Sequence, residues 1–261
     1  MSVEWTVERA AAVLLEAETA RTDRGPITDE WPALDLDTAY RIQDERLRLK
    51  IAEGRRITGV KLGLTSRPKQ RRMGIDSPLT AWLTDDMPLP PGAPLVVGDL
   101  IHPRVEPEIV FVLGRRLTGP GITAATALRA VSEVTAGLEV IDSRYTDFRF
   151  TLPDVVADNA SSARYLTGDL RRDPHTLDLA AERCHLKING TTVDTATGAA
   201  VQGHPAEALA LAANTLSRRG LSLEPGWTIL TGGLTDAIPT TPGDTIEATF
   251  TNLGTVTLPC H

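Results

Sequence analysis

Two carboxylates near the middle of the chain are spaced so that they can act together. Glu106 and Glu108 open an apolar run rich in Val and Ile, which is typical of a buried strand. Residues i and i+2 of a strand face the same side, so the two side chains are predicted to point together. Buried like charges repel, and a hard divalent cation would relieve that repulsion. The alternative is a solvated strand entrance that carries two glutamates on its outer face.

Ionisable residues also interrupt two other apolar segments. Lys61 lies in Ile57–Leu64, and a lysine inside such a strand must be paired or must titrate. Glu139 and Asp142 lie in Leu138–Asp142, which is predicted as another buried strand. If these strands meet at one end of a sheet, the carboxylates could hold a cation that polarises adjacent carboxylate and keto oxygens of a substrate. The lysine could then move protons or stabilise a developing oxyanion.

The elements that would position these residues are helical first and mostly β afterwards. Helices are predicted where apolar residues recur at helical spacing, or where a capping residue begins the segment. They cover Val7–Thr22, Asp37–Glu53 with Asp35 or Asp37 as its cap, Thr123 to about Thr135, and Pro205–Gly220. Thr151–Thr167 has the composition of a loop, and Asn189–Gly190 predicts a hairpin turn.

Further strands are predicted near the middle and in the last third of the chain, at Ala81–Leu83, Trp227–Thr231, Thr245–Thr251 and Gly254–Leu258. The order of elements favours an α+β fold over a regular βαβ alternation. We expect residues 1–56 to form a small helical N-terminal lobe and residues 57–261 to form a β-rich catalytic body.

Composition and missing motifs exclude several classes of protein. The net charge of −7 argues against a nucleic-acid partner, and the two cysteines show no CxxC spacing, which fits a reducing cytoplasm. No signal peptide and no apolar run long enough to span a membrane are recognisable. The sequence has no GxGxxG, P-loop, GxSxG or HExxH motif, which argues against nucleotide cofactors, serine hydrolysis and zinc proteolysis.

Five segments resemble, in order and along nearly the whole chain, motifs of the fumarylacetoacetate hydrolase superfamily and its hydratase/decarboxylase branch. They are Lys61–Ser66, Leu100–Ile109, Glu139–Tyr145, Val155–Ser162 and Thr231–Thr235. The resemblance implies a helical N-terminal part and a β-rich body. It also implies that Glu106, Glu108 and Glu139 bind Mg²⁺ or Mn²⁺, that Lys61 is catalytic, and that Ser161 meets the substrate carboxylate.

Two sister activities of catechol meta-cleavage pathways share these motifs. The decarboxylase converts 2-oxohex-3-enedioate to 2-hydroxypenta-2,4-dienoate, and the hydratase adds water to that dienol. Hydratases commonly carry an aspartate at the position of Leu79, so the resemblance favours the decarboxylase. The stretch Leu83–Met87 looks more like a hydratase, which keeps that activity as the alternative.

The remaining expectations concern the far end of the substrate and the partners. A basic group should recognise the distal carboxylate of the 2-oxo acid, with Arg72 and Arg144 as candidates. Asp142 and Leu79 complete the predicted substrate-binding set. The resemblance also implies a homo-oligomer and a complex with a sister hydratase. Two lesser alternatives are a non-catalytic scaffold and an acylpyruvate hydrolase, whose usual N-terminal histidine is missing before His102.

Overall fold

The N-terminal part of the chain is helical, as predicted. A computed structural model describes residues 4–67, 70–71, 74–75 and 78–261, and it begins with α1 (Val7–Ala20), α2 (Ile27–Glu30) and α3 (Leu36–Ala52). Thr6 caps α1 by accepting a hydrogen bond from Arg9 N, and Asp35 caps α3 by accepting one from Thr38 N. The short helix α2 lies between the first two predicted helices, where no helix was predicted.

A seven-stranded sheet forms the centre of the body. Its strands are β1 (Ile57–Gly63), β2 (Leu79–Thr84), β3 (Arg104–Leu113), β4 (Val131–Ile141), β5 (Ser162–Thr167), β8 (Thr228–Leu230) and β9 (Ile238–Pro239). The order is β2-β1-β8-β3-β4-β5, and β9 pairs with the start of β3. Only β1 and β8 run parallel among these pairs of described strands; the others are antiparallel. The predicted α+β class is confirmed.

A second, four-stranded sheet covers part of the first. It consists of β6 (Arg183–Ile188), β7 (Thr191–Thr197), β10 (Thr245–Phe250) and β11 (Gly254–Pro259), in the antiparallel order β11-β10-β6-β7. The predicted hairpin turn at Asn189–Gly190 joins β6 to β7. The hydrophobic core lies between the two sheets and extends beneath the helix α6 (Pro205–Arg218), which begins with proline as predicted.

Two local predictions were wrong. The helix expected from Thr123 to Thr135 is only α4 (Ala124–Leu128), because residues from Val131 onward are drawn into β4 by pairing with β3. The predicted loop Thr151–Thr167 contains α5 (Leu152–Ala157) and β5. A capping box formed by Thr151 and Asp154 starts α5, and this was a signal that the loop-like composition concealed.

The N-terminal helices pack on the body of the same chain. Gln43 of α3 donates hydrogen bonds from Nε2 to Thr80 O (3.1 Å) and Val156 O (3.0 Å). Arg46 of α3 is buried and contacts the carboxylate of Asp158 (3.2 Å), which is buried as well. These contacts couple the helices to β2, to α5 and to the segment after it. The predicted boundary between a lobe of residues 1–56 and a body of residues 57–261 stays a prediction. No helix in the described residues is long and apolar enough to cross a membrane.

Glu18 of α1 gives this packing a pH dependence. Its carboxylate lies 2.8 Å from Arg46 Nη2 and 2.7 Å from Lys50 Nζ. Burial raises the pKa of the Glu18 carboxyl, but the positive charges of Arg46, Lys50 and Arg144 outweigh burial and lower that pKa from 4.5 to about 2. The ionised carboxylate therefore stabilises the folded chain above pH 4.5, and this contribution is lost as the pH falls from about 4.5 to about 2.

We expect Glu18→Gln to lower the free energy of unfolding by about 2 kcal/mol at pH 7, with the partial exposure of the side chain reducing the effect. Urea denaturation should show the difference from the parent protein narrowing as the pH falls from about 4.5 towards 3. Glu16→Gln, at an exposed position of the same helix, is the control and should change stability by less than about 0.5 kcal/mol. A difference that stayed constant from pH 7 to pH 3 would contradict the assignment.

Candidate active site

Three glutamates from neighbouring strands meet at one place in the large sheet. Glu106 and Glu108 lie two residues apart on β3, and Glu139 lies directly opposite Glu106 on β4. One carboxylate oxygen of each lies within 4.8 Å of the others. Glu108 and Glu139 are buried, and Glu106 is partly exposed. The alternation along β3 and the cross-strand pairing with β4 thus bring together the predicted set of carboxylates.

Lys61 reaches the same place from β1. Its Nζ lies 3.1 Å from Oε1 and 3.2 Å from Oε2 of Glu139, and it donates its hydrogen bond to Oε2. In the sheet order β1 and β4 are separated by two strands, which would place them about 14 Å apart in a flat sheet. The contact therefore requires the sheet to curl so that one face is concave. Lys61 is itself only 3% exposed, as its apolar strand predicted.

The three carboxylates lie in an environment that opposes their charge. Burial raises the pKa of Glu108 well above its usual value, the charges of Glu139 and Glu106 raise it further, and a hydrogen bond from Gly232 N (2.8 Å) opposes both. Burial also raises the pKa of Glu139, and the Lys61 ammonium opposes that shift. The described residues place one ammonium group, that of Lys61, beside Glu108 and Glu139, and burial together with the neighbouring carboxylates favours a further proton or cation there.

The geometry fits a hard divalent cation. Oε1 of Glu108 is buried and has no hydrogen-bond partner among the residues that the structure describes, although a buried carboxylate oxygen normally has one. Carboxylate oxygens from three residues, with room for substrate or water oxygens, make up the coordination that Mg²⁺ and Mn²⁺ take in proteins. The assignment of Glu106, Glu108 and Glu139 as metal ligands rests on this fit and stays a prediction.

The loop Thr231–Gly233 shapes the site from the end of β8. Thr231 Oγ1 donates a hydrogen bond to Ile109 O (2.7 Å), which holds the loop against β3. A Cβ atom on Gly233 would lie 2.7 Å from Cδ of Glu106, and one on Gly232 would lie 2.1 Å from Oγ1 of Thr65. Only glycine fits at these two positions, because Thr65 and Glu106 lie too close for a Cβ atom. This gives a physical reason for the two glycines in the motif segment Thr231–Thr235.

A cavity of about 530 Å³ opens beside the carboxylates. Lys61, Glu106, Leu79 and Ser161 line it, and their catalytic, metal-binding and substrate-binding roles stay predictions. Apolar side chains supply much of the remaining wall, and they include Ile141, Phe148, Phe150 and Val155. The cavity is large enough for a small organic acid, with a polar end at the carboxylates and an apolar middle.

Ser161 is presented to this cavity by an unusual turn. Asn159, Ala160 and Ser161 all have left-handed backbone conformations, with φ of 52°, 48° and 57°. Such conformations cost about 1–2 kcal/mol per residue, so the surrounding structure must impose them. The Asn159 side chain holds the turn against Trp82 of β2. Its Oδ1 accepts a hydrogen bond from Trp82 N (2.8 Å), and its Nδ2 donates one to Trp82 O (2.9 Å).

The structure corrects two of the predicted substrate contacts. The Asp142 carboxylate accepts hydrogen bonds from Ile101 N (2.9 Å) and His102 N (2.8 Å). Arg144 is buried, forms a salt bridge with the carboxylate of Asp158, and donates from Nη2 to Asp158 O (2.6 Å). Neither side chain lines the cavity, because each satisfies polar groups of the polypeptide instead. Arg72, the other candidate for the distal carboxylate, lies outside the described residues.

Two charged residues on the cavity wall were missed by the sequence analysis. Arg104 lies two residues before Glu106 on β3, and Asp236 follows the loop after β8. The alternation that placed Glu106 and Glu108 on one face also places Arg104 there, so the signal was present in the sequence. No comparable signal marks Asp236, because it follows an irregular segment.

The helical N-terminal part and the β-rich body agree with the fold that the resemblance implied. Residues 60–259 match the family model described as Fumarylacetoacetate (FAA) hydrolase C-terminal. The chain therefore belongs to the fumarylacetoacetate hydrolase family.

Two relatives with named activities and one solved structure are similar to this chain over nearly its whole length. The chain is 40% identical over 240 residues to 4-oxalocrotonate decarboxylase of Pseudomonas putida, covering 92% of this chain and 91% of the relative. It is 38% identical over 260 residues to 2-hydroxyhexa-2,4-dienoate hydratase of Comamonas testosteroni, covering 99% and 98%. The solved 4-oxalocrotonate decarboxylase from Pseudomonas putida G7, complexed with magnesium and adipate, superposes with a TM-score of 0.96 at 38% identity over 99% of both chains. The same protein was also solved with calcium and acetate.

We expect Gly233→Ala to weaken Mg²⁺ binding by about tenfold or more, because its Cβ would displace the Glu106 carboxylate. Calorimetric titration of the purified variant with Mg²⁺ measures this change. Gly98→Ala is the control, since a Cβ at Gly98 meets no atom within 4 Å. Equal dissociation constants for both variants would show that Gly233 does not determine the position of Glu106.

Proposed function

We propose that this protein is a divalent-metal-dependent decarboxylase that converts 2-oxohex-3-enedioate to 2-hydroxypenta-2,4-dienoate. The observation that carries the proposal is the convergence of Lys61 with Glu106, Glu108 and Glu139 at one end of the cavity. The P. putida decarboxylases share about 40% of their residues with this chain. Adipate, found in the complex of the G7 enzyme, has the six carbons and two carboxylates of the proposed substrate.

The residues divide the chemistry between them. The triad would hold Mg²⁺ or Mn²⁺, which when bound supplies a Lewis acid for the keto and C1 carboxylate oxygens. Ser161 would bind the C1 carboxylate at the same end. As CO₂ leaves from C6, the electron pair of the C5–C6 bond moves along the conjugated chain and negative charge develops at the C2 oxygen. Lys61 would stabilise that charge and supply the proton that completes the enol.

The choice of decarboxylase over hydratase rests on one position of the cavity wall. Leu79 is 3% exposed and lines the cavity at the position where, by the resemblance, hydratases commonly carry an aspartate. An alkyl side chain cannot activate water, which hydration requires and decarboxylation does not. Asp236, which lines the same cavity, is the observation that supports the hydratase as a second candidate.

The two activities are separated by a direct assay. With saturating Mg²⁺, we expect CO₂ release from 2-oxohex-3-enedioate and accumulation of the dienol, which absorbs in the ultraviolet. Incubation with 2-hydroxypenta-2,4-dienoate alone should leave the dienol unchanged. Loss of the dienol without CO₂ release from the dicarboxylate would reject the decarboxylase in favour of the hydratase.

We expect Lys61→Met to lower kcat by about 10²–10⁴-fold, because the variant keeps the packing volume and loses the proton donor. Its affinity for Mg²⁺ should stay the same or rise, because the variant removes a positive charge next to the carboxylates. In the described chain Lys61 is the only lysine beside them. Lys187→Met is the control, because Lys187 pairs with Glu247 in the second sheet. Near-normal decarboxylation by Lys61→Met with Mg²⁺ saturating would remove Lys61 from the mechanism.

The cellular setting is part of the proposal. We propose a cytoplasmic catabolic enzyme that forms a homo-oligomer and associates with the hydratase that consumes its product. The similarity to 4-oxalocrotonate decarboxylase and to 2-keto-4-pentenoate hydratase supports the association with a hydratase, because 2-hydroxypenta-2,4-dienoate is the enol form of 2-keto-4-pentenoate.

A further inference from the structure

One cation on the wall of the cavity forms no salt bridge with a carboxylate of the described residues. Lys61 and Arg104 are the cations that line the cavity in the described part of the chain. Lys61 is paired with Glu139, as shown above. Arg104 makes no salt bridge within 4.0 Å to any carboxylate among residues 4–67, 70–71, 74–75 and 78–261. Its positive charge is therefore available to an anionic group in the cavity.

The separation between Arg104 and the acidic triad suits a short dicarboxylate. Arg104 and Glu106 face the same side of β3 two residues apart, which corresponds to about 6.6 Å along a strand. The terminal carbons of an extended six-carbon chain are about 6 Å apart, given a carbon–carbon bond of about 1.5 Å. An acid whose keto end lies at the triad can thus place its distal carboxylate beside Arg104. A guanidinium group binds a carboxylate through two parallel hydrogen bonds.

Phe148 holds the Arg104 head group at the cavity wall. The guanidinium carbon lies 4.1 Å from the centroid of the Phe148 ring, which is a close cation–π contact. Phe148 also packs against His102, with 4.8 Å between ring centroids. The cation–π contact restricts the rotamers of the long Arg104 side chain and so reduces the entropy that it loses on binding an anion, and the contact with His102 fixes the Phe148 ring.

The turn that carries Phe148 has a left-handed backbone that local preference disfavours. Asp147 and Phe148 have φ of 56° and 55°, which costs about 1–2 kcal/mol for each residue. Hydrogen bonds from Phe148 N to Tyr145 O (3.1 Å) and from Thr146 N to Arg24 O (2.9 Å) keep the turn in place. The position of the ring is therefore imposed by the tertiary structure, as is typical of residues that orient a functional group.

We propose that Arg104 binds the distal carboxylate of a 2-oxo dicarboxylate and that Phe148 is the positioning residue for its guanidinium group. The proposal rests on the proposed function for the other end of the substrate, where the triad and Ser161 take the 2-oxo acid. Decarboxylation requires the C5–C6 bond to stand out of the plane of the conjugated chain, so that its electron pair enters the π system as C6 leaves as CO₂. A cation fixed on one wall holds the carboxylate in that orientation.

The test compares two unreactive acids of equal chain length, 2-oxoadipate and 2-oxohexanoate, which differ only in the distal carboxylate. Their dissociation constants are measured by calorimetry with saturating Mg²⁺. We expect the parent protein to bind 2-oxoadipate at least about tenfold more tightly, as a charged bidentate pair allows. Arg104→Gln should bring the ratio close to one while leaving the affinity for 2-oxohexanoate unchanged. Arg149→Gln, an exposed neighbour paired with Asp29, should keep the ratio of the parent protein.

Variants at Phe148 separate positioning from packing. Phe148→Leu should lower the preference for 2-oxoadipate several-fold, and Phe148→Tyr, which keeps an aromatic ring, should restore it. Binding of 2-oxohexanoate reports in each case whether the rest of the site is intact. A preference that survives in Arg104→Gln, or a parent protein that binds both acids equally, would overturn the subsite even if CO₂ is released. Absence of CO₂ release with the preference intact would reject the decarboxylase and retain the subsite, and failure to bind either acid would overturn both proposals.

Discussion

The concentration of negative charge between β3 and β4 is the constraint on which the rest of the site depends. Two buried carboxylates and a third that is partly exposed share a small volume, into which the described residues bring the ammonium group of Lys61. Such a cluster is unstable when fully ionised, because burial removes the solvation that each charge needs and the like charges repel. It persists in a fold because the sheet forces Glu106, Glu108 and Glu139 together, and its repulsion is relieved by binding a cation. The repulsion that lowers the stability of the fold at this place is therefore the same repulsion that a bound metal would relieve.

Much of the surrounding structure is explained by the need to hold that cluster open on one side. Gly233 leaves room for the Glu106 carboxylate, and Gly232 N donates to Glu108. On the opposite wall, the left-handed turn that ends at Ser161 is braced by Asn159 against β2. Asp158 precedes this turn and is held by Arg46 from the helical part, so the N-terminal helices support the wall of the site as well as the core. These supports are scattered along the chain, and each acts through backbone position more than through contact with substrate.

Relations within one strand could be predicted from the sequence, whereas contacts between distant segments could not. Strand alternation alone placed Glu106 and Glu108 together, because that relation is local. The meeting of Lys61 with Glu139 could not be derived from periodicity, since it depends on strand order and on the curl of the sheet. The residues alone allowed it only as a condition, and the family resemblance favoured it. Arg144 was misplaced because a charged residue in an apolar segment can equally neutralise a buried partner, here Asp158. Arg104 was overlooked although the alternation that identified the glutamates applied to it.

The two ends of the cavity therefore have different parts in the proposed function. In the proposed function the triad and Lys61 would recognise a 2-oxo acid and polarise it, and this chemistry would serve decarboxylation and hydration alike. On this proposal, what distinguishes the reactions lies further along the wall, where Leu79 would exclude water and Arg104 would offer a charge to a second carboxylate. A hydratase substrate has no carboxylate at that end, so a cation there would add nothing to its binding. Within one family fold, the reaction is thus determined less by the metal-binding residues than by the side chains that meet the substrate at its far end.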